Sequence, residues 1–234
     1  MRASVVLFPG SNADAEMVHA LRDIVGIPTE ISWHKDHELP ADTDLVAIPG
    51  GFAYGDYLRA GAIAKASAIV GAIRRHAERG GLVLGVCNGF QVLTEVGLLP
   101  GALTRNQHLR FECRELYIRV EAEGPFTFGY SGVLRVPIAH GEGRYQADAG
   151  TLSELAQKKR VAFRYCDRDG ELTPETNING SVEAIAGVYG GPESNVLGLM
   201  PHPERASEPL VGSADGRKLF ESVVSFYAAR RPRT

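Results

Sequence analysis

The sequence has few cysteines and no long apolar segment. Its 234 residues include three cysteines, an odd number without close pairing, which argues against a disulfide framework. No apolar run reaches the 18 residues or so that a membrane-spanning helix needs, and no signal-peptide pattern opens the chain. We therefore expect a cytoplasmic protein with no membrane contact.

The sequence also lacks a large excess of positive or negative charge. Lys and Arg number 25 and Asp and Glu 28, so the formal net charge of −3 argues against nucleic acid as a partner. The seven histidines form no HExxH or HxxEH motif, and neither Cys113 nor Cys166 has the spacing of a metal ligand, so we expect no metal site. A hydrophobic content of 44% without a linker, a repeat or a low-complexity tract predicts one domain over residues 1–234.

The order of apolar runs predicts the fold class. Strands are expected at 3–8, 28–33, 44–48, 82–86, 116–122, 133–139, 161–165, 182–188 and 196–200. Helices are expected after a cap at Ser11 or Asn12 and over 62–79, 90–96, 151–159 and 214–228. This pattern is typical of an α/β protein of the flavodoxin-like, doubly wound kind. It predicts a mostly parallel sheet, helices on both faces and antiparallel additions.

The segment from Leu82 to Gln91 predicts a nucleophile. A buried strand stops at Cys87, a helix begins at once, and Gly85 and Gly89 lie two residues to either side. This is the spacing of a nucleophile elbow with Cys in place of Ser, and the helix N-terminus favours the thiolate. A cysteine after an apolar run is more often a small core residue. The strand, the glycines and the helix together favour catalysis.

A cysteine nucleophile needs a base and a group that orients it. His202 and Glu204 follow a predicted strand, and the prolines on both sides of His202 keep the backbone extended, so both side chains project to one side. The alternative is a surface turn whose polar groups meet only water. His140 is a second candidate base, although no similar scaffold surrounds it.

The chemistry also needs donors for a developing oxyanion. Gly51 and Phe52 end a strand that we expect beside the elbow strand, and an N–H from either residue could act with that of Asn88. The same glycines would also serve a simple turn between strand and loop.

These motifs resemble those of the class I (triad) glutamine amidotransferases. More narrowly, the chain is similar to the glutaminase subunits of phosphoribosylformylglycinamidine synthase. The similarity lies in the segments at 8–12, 49–64, 87–91, 98–103, 105–106, 139–145 and 200–206. It implies Cys87 as nucleophile, His202 as base and Glu204 as its orienter. The implied substrate-binding residues are Gly51, Phe52, Asn88, Gln91 and Asn106. Ile178 stands where the family usually has proline.

The resemblance further implies how the chain is used. Glutamine would be hydrolysed to glutamate and ammonia, and the ammonia would pass to a large synthetase subunit assembled with a small accessory subunit. This chain would carry no cofactor, and ATP and Mg would belong to the synthetase. The loops 54–59 and 140–145 are rich in aromatic and charged residues and are candidate docking surfaces, although both could instead only line the glutamine pocket. Two alternatives remain: a cysteine hydrolase or stress protein of the DJ-1/protease-like kind, which usually has His where Asn88 stands, and a non-catalytic subunit with the same fold.

Overall fold

A computed structural model describes residues 1–230 of the chain. Its strands are β1 (Ala3–Leu7), β2 (Thr29–Trp33), β3 (Leu45–Ile48), β4 (Leu82–Val86), β5 (Ala102–Thr104), β6 (Glu112–Val120), β7 (Val133–His140), β8 (Arg144–Gln146), β9 (Val161–Cys166), β10 (Ile185–Gly190) and β11 (Val196–Leu199). Its α-helices are α1 (Asp14–Val18), α2 (Ile69–Glu78), α3 (Asn88–Glu95), α4 (Ala149–Gln157) and α5 (Arg217–Arg230). Within these residues, no helix is long and apolar enough to cross a bilayer.

Nine strands form one mixed sheet in the order β2-β1-β3-β4-β11-β10-β9-β6-β7. The first five strands of this order run parallel to one another. From β11 onwards, neighbouring strands are antiparallel. Strands β5 and β8 pair separately in a small two-stranded sheet that we did not predict. The predicted α/β fold, a parallel sheet extended by antiparallel strands, is confirmed.

The middle of the sheet places the candidate site. All five residues of β4 are buried, as expected of a parallel strand covered on both faces. Because β3, β4 and β11 are parallel, their carboxyl ends meet at one edge of the sheet. Gly50, Cys87 and His202 follow these three ends in the chain. Loops at this edge are where open α/β sheets bind their ligands.

The single long helix predicted over 62–79 is wrong. Residues Ile63–Ala66 form a short 3-10 turn, Ser67 is extended with ψ 142°, and α2 begins only at Ile69. The Ser67 hydroxyl is hydrogen-bonded to Tyr54 Oη at 2.8 Å. The chain thus turns at Ser67, where a tertiary contact overrides the helical pattern of the alanines around it.

Other predicted boundaries also differ from the structure by a few residues, and two of these differences have a local cause. Helix α1 follows Ala13, without a side-chain cap, because the Ser11 hydroxyl accepts from the Phe8 N–H instead. Strand β10 begins at Ile185, three residues later than predicted, because Val182–Ala184 form a turn in which Glu183 has φ 50°.

Candidate active site

The sharp turn predicted between strand and helix is present at Cys87. Its backbone adopts φ 51° and ψ −105°, a strained conformation for a residue with a side chain. A Cβ built on Gly89 would lie 2.0 Å from the Ile48 carbonyl oxygen, and one on Gly85 would lie 2.7 Å from the backbone of Gly89. The two glycines therefore permit the close approach of strand and helix that this turn requires.

His202 and Glu204 form a buried pair. The two side chains are 2% and 0% exposed, and His202 Nδ1 lies 2.5 Å from Glu204 Oε1. The backbone N–H of His202 donates to the Pro137 carbonyl at 2.8 Å, which fixes this segment against β7. The histidine ring is thus held from both its backbone and its Nδ1 atom, with Nε2 left to act.

The structure brings this pair to Cys87. A Cβ built on Gly50 would lie 2.6 Å from His202 Cε1 and 3.5 Å from Cys87 Cβ, so the two side chains meet over this glycine. His202 Nε2 is buried and has no hydrogen-bond partner among residues 1–230, while the Cys87 thiol donates to the Ala139 carbonyl at 3.6 Å. Burial lowers the pKa of His202, but the charges of Glu204 and of the Cys87 sulfur outweigh it and raise the pKa to about 10.

A cavity of about 200 Å³ opens beside the Cys87 sulfur. This volume suits a small metabolite rather than a larger ligand. Its wall is formed by Gly51, Phe52, Asp56, Cys87, Gln91, Phe111, Ala139, His140, Gly141 and Glu142. A larger cavity of about 460 Å³ lies near Asp44 and Leu82 at the opposite edge of the sheet, and no cysteine lines it.

One of the two expected oxyanion donors on the loop after β3 is engaged elsewhere. The Phe52 N–H donates to the Gly10 carbonyl at 2.9 Å, because Gly51 pairs with Ser11 in an isolated antiparallel bridge. Neither the Gly51 N–H nor the Asn88 N–H donates a hydrogen bond within residues 1–230. Gly51 has φ 151°, and its neighbours approach to within 2.8 Å of where a Cβ would be, so only glycine fits.

The side chains of Asn88 and Gln91 connect the cavity's loops. Asn88 Oδ1 accepts from the Ala53 N–H at 3.0 Å, and Asn88 Nδ2 donates to Gln91 Oε1 at 2.9 Å. Gln91 Nε2 then donates to the Glu142 carbonyl at 2.7 Å. Both side-chain amides therefore have hydrogen-bond partners within the protein. Gln91 lines the cavity, whereas Asn88 does not.

Asn106 is fully buried and is not on the cavity wall. Its Nδ2 donates to the carbonyls of His140 and Arg110, and its Oδ1 accepts from the Gly143 N–H at 3.1 Å. Oδ1 also contacts His140 Nδ1 at 3.1 Å. Burial and the nearby His202 lower the pKa of His140 to about 4, so this ring is neutral. Asn106 thus holds the loop that carries His140.

The two predicted docking loops, 54–59 and 140–145, differ in how far their side chains are exposed. Tyr57 and Leu58 are 91% and 78% exposed, but Tyr145 is fully buried and its hydroxyl donates to the Pro100 carbonyl. Arg59 is held by two hydrogen bonds of 2.6 Å to Glu95. The end of the loop 140–145 is therefore buried and supports the fold instead of offering a docking surface.

The sequence profile of the CobB/CobQ-like glutamine amidotransferase domain matches residues 1–229. The chain belongs to this family. Among curated glutamine amidotransferases of this kind, phosphoribosylformylglycinamidine synthase subunit PurQ of Gloeobacter violaceus is 52% identical over 228 residues, 96% of this chain and 97% of that protein. The corresponding PurQ of Bradyrhizobium diazoefficiens is also 52% identical, over 94% of this chain and 95% of that protein.

A solved structure agrees with these sequence relatives. The structure of PurLQS from Thermotoga maritima contains a chain that matches with a TM-score of 0.84 at 42% identity, over 97% of this chain and 98% of that one. The chain is therefore a glutamine amidotransferase of the PurQ family, as its motifs predicted. Family membership decides against the DJ-1/protease-like alternative, which rested on the elbow alone.

Two residues of the cavity wall, Phe111 and Ala139, lie outside every site that the sequence predicts. Asp56, Gly141 and Glu142 lie in the loops 54–59 and 140–145, which the sequence offers as possible lining of the glutamine pocket. Which of them reach the cavity depends on how the loops after β3 and β7 pack, and no local pattern reports this.

Proposed function

We propose that Cys87, His202 and Glu204 form the triad that hydrolyses glutamine in this PurQ subunit. The observation that carries the proposal is the meeting of a strained, cavity-facing cysteine with a buried His–Glu pair. His202 Nε2, free of other partners among residues 1–230, is the atom available to exchange a proton with sulfur. Such a constellation supports acyl transfer.

In the proposed reaction, the Cys87 thiolate attacks the side-chain carbonyl carbon of glutamine. The imidazolium of His202 gives its proton to the departing ammonia as the carbon–nitrogen bond breaks, and a glutamyl thioester remains. Water then attacks the thioester, His202 takes the proton from it, and glutamate and the thiolate are released. The oxyanion formed in each half would be held by the N–H groups of Gly51 and Asn88. Glu204 keeps the imidazole oriented and stabilises its charge.

We further propose that the ammonia passes to a large synthetase subunit assembled with this chain and a small accessory subunit in the cytoplasm. ATP and Mg would be used by the synthetase, which converts formylglycinamide ribonucleotide to the amidine in purine biosynthesis. Support comes from the relatives, which are named as synthase subunits, and from the PurLQS structure. Exposed apolar side chains of this chain offer a docking surface on the loops of the cavity: Phe52, Tyr57, Leu58, Leu109 and Phe111.

The test is glutamate release by the chain together with its synthetase. Cys87→Ala should abolish glutamine-dependent amidine formation while added ammonia remains usable, because only the source of ammonia is lost. Cys113→Ala is the matched control, since Cys113 is an exposed cysteine on β6 that does not line the cavity. Glutamine-dependent synthesis by Cys87→Ala at the unmodified rate would refute the assignment.

A further inference from the structure

The loop after β3 contains three consecutive residues in the left-handed region of the backbone. The φ angles of Tyr54, Gly55 and Asp56 are 55°, 70° and 51°. Glycine adopts this conformation freely, but residues with a side chain do so only under strain. Such strain persists where surrounding contacts impose it, and it clusters at functional sites. The same loop carries Gly51, whose N–H is the oxyanion donor proposed above.

Backbone hydrogen bonds hold this loop against the segment that follows β1. The Phe52 N–H donates to the Gly10 carbonyl at 2.9 Å, and the Tyr54 N–H donates to the Pro9 carbonyl at 2.6 Å. A Cβ built on Gly10 would lie 2.2 Å from the Phe52 carbonyl oxygen, so the two segments are in direct contact. The backbone between Gly51 and Tyr54 is therefore short and fixed at both ends.

The Tyr54 side chain ties the loop to two further elements. Its hydroxyl lies 2.6 Å from His34 Nδ1 and 2.8 Å from Ser67 Oγ. A hydroxyl has one proton and two lone pairs, so it can donate to one of these atoms and accept from the other. His34 directly follows β2 and is 8% exposed, and Ser67 is the extended residue shortly before α2. Neither of them lines the cavity beside Cys87, so both belong to the scaffold.

We propose that the Tyr54 hydroxyl is a positioning group for the glutaminase reaction, which holds the strained loop so that the Gly51 N–H meets the forming oxyanion. This inference rests on the glutaminase function proposed above. Without the hydroxyl, the left-handed backbone at Tyr54 loses contacts that impose its strain, and its relaxation moves Gly51 three residues away. An oxyanion donor acts only at about 2.7–3.1 Å from the oxygen, so a small displacement of Gly51 lowers the rate.

The competing explanation is that the Tyr54 hydroxyl only stabilises the fold by joining β2, the loop and α2. Its removal would then lower the melting temperature and leave the rates of the folded enzyme unchanged. A positioning group instead slows the steps that pass through an oxyanion. It spares reactions of Cys87 that form none.

The experiment uses Tyr54→Phe, which removes the hydroxyl and keeps the ring, in the chain assembled with its synthetase and well below the melting temperature of the variant. We expect kcat for glutamate release to fall about tenfold or more, but less than the 10²–10³-fold or so that follows the loss of a whole donor. KM should stay within about threefold, because glutamine binds before the oxyanion forms. Alkylation of Cys87 by iodoacetamide, followed by mass spectrometry, should also stay within about threefold, because substitution at a saturated carbon forms no oxyanion.

Tyr130→Phe is the matched control. Its hydroxyl donates to the Val133 carbonyl at 3.0 Å and it does not line the cavity, so neither rate should change. Ser67→Ala removes one of the two partners of the Tyr54 hydroxyl and should show the same pattern with a smaller loss, which gives a second reading if Tyr54→Phe fails to fold.

A lower kcat with unchanged alkylation of Cys87, in either variant, supports the inference. An unchanged kcat in the folded variants, or an equal fall of alkylation and glutamate release, overturns it and leaves the triad in place. Glutamate release that does not depend on Cys87 would overturn the proposed function as well, and so separates the two failures.

Discussion

Replacing Glu204 by Gln tests how the triad is held at its buried end. In the structure the Glu204 carboxylate lies 2.5 Å from His202 Nδ1, and both side chains are withdrawn from water. Gln keeps the size and one acceptor oxygen of the side chain, removes the charge and puts an amide NH2 donor in place of the other oxygen. Burial, which lowers the pKa of His202, is then opposed only by the Cys87 sulfur, so the pKa of His202 should fall.

The size of the effect follows from the burial of the pair. Removing one partner of a buried ion pair costs about 3–5 kcal/mol of folding stability, and each 1.4 kcal/mol or so is a factor of ten. If the imidazolium formed in the reaction loses the same stabilisation, glutamate release by Glu204→Gln should fall about 10²- to 4 × 10³-fold. More activity should be left than in His202→Ala, which loses the proton carrier itself. The assays are glutamate release by the assembled complex and the rate of Cys87 alkylation at pH 7, which should fall with it.

Stability gives an independent readout of the same pair. Because the pKa of His202 is raised to about 10 in the folded chain, the pair's contribution is present below the ordinary histidine pKa of about 6.5 and is lost as the pH rises towards 10. Glu204→Gln should flatten this pH dependence of thermal unfolding. Glu208→Gln is the control, because among residues 1–230 that carboxylate, on the same loop, bonds only to the half-exposed His19. Activity of Glu204→Gln within about threefold of the unmodified chain would refute the argument, since a buried pair is worth far more.

Two further variants test the turn and the docking surface. Gly89→Ala places a Cβ 2.0 Å from the Ile48 oxygen, so we expect a loss of at least about 3 kcal/mol in the free energy of unfolding. Gly71→Ala, on an exposed helical position with room for the methyl group, should be neutral or stabilising by up to about 1 kcal/mol; equal melting temperatures for both variants would contradict the reasoning. Leu58→Asp, at a side chain 78% exposed, should weaken binding of the synthetase and lower glutaminase activity of the complex. Unchanged binding in a titration of one subunit with the other would exclude this loop from the interface.

Periodicity and spacing predicted most of the scaffold. The sequence of β4 predicts a buried parallel strand because every residue in it is apolar or glycine. The glycines on either side of Cys87 predict a turn that is too tight for side chains. These signals are local, since each depends on residues within one turn or one strand. They sufficed to predict the α/β fold and the elbow, whereas the family was predicted from the resemblance of whole motifs along the chain.

Contacts between distant segments decided the rest. The break at Ser67 depends on Tyr54, and the engagement of the Phe52 N–H depends on Gly10. Whether a polar residue lines the cavity or supports it is likewise a tertiary matter. Asn106 has the same chemistry as a ligand-binding amide, yet its side chain bonds to His140 at the end of β7 and not to the cavity. Local sequence carries the type of a side chain, but its partners are set by which loops the sheet brings together at one edge.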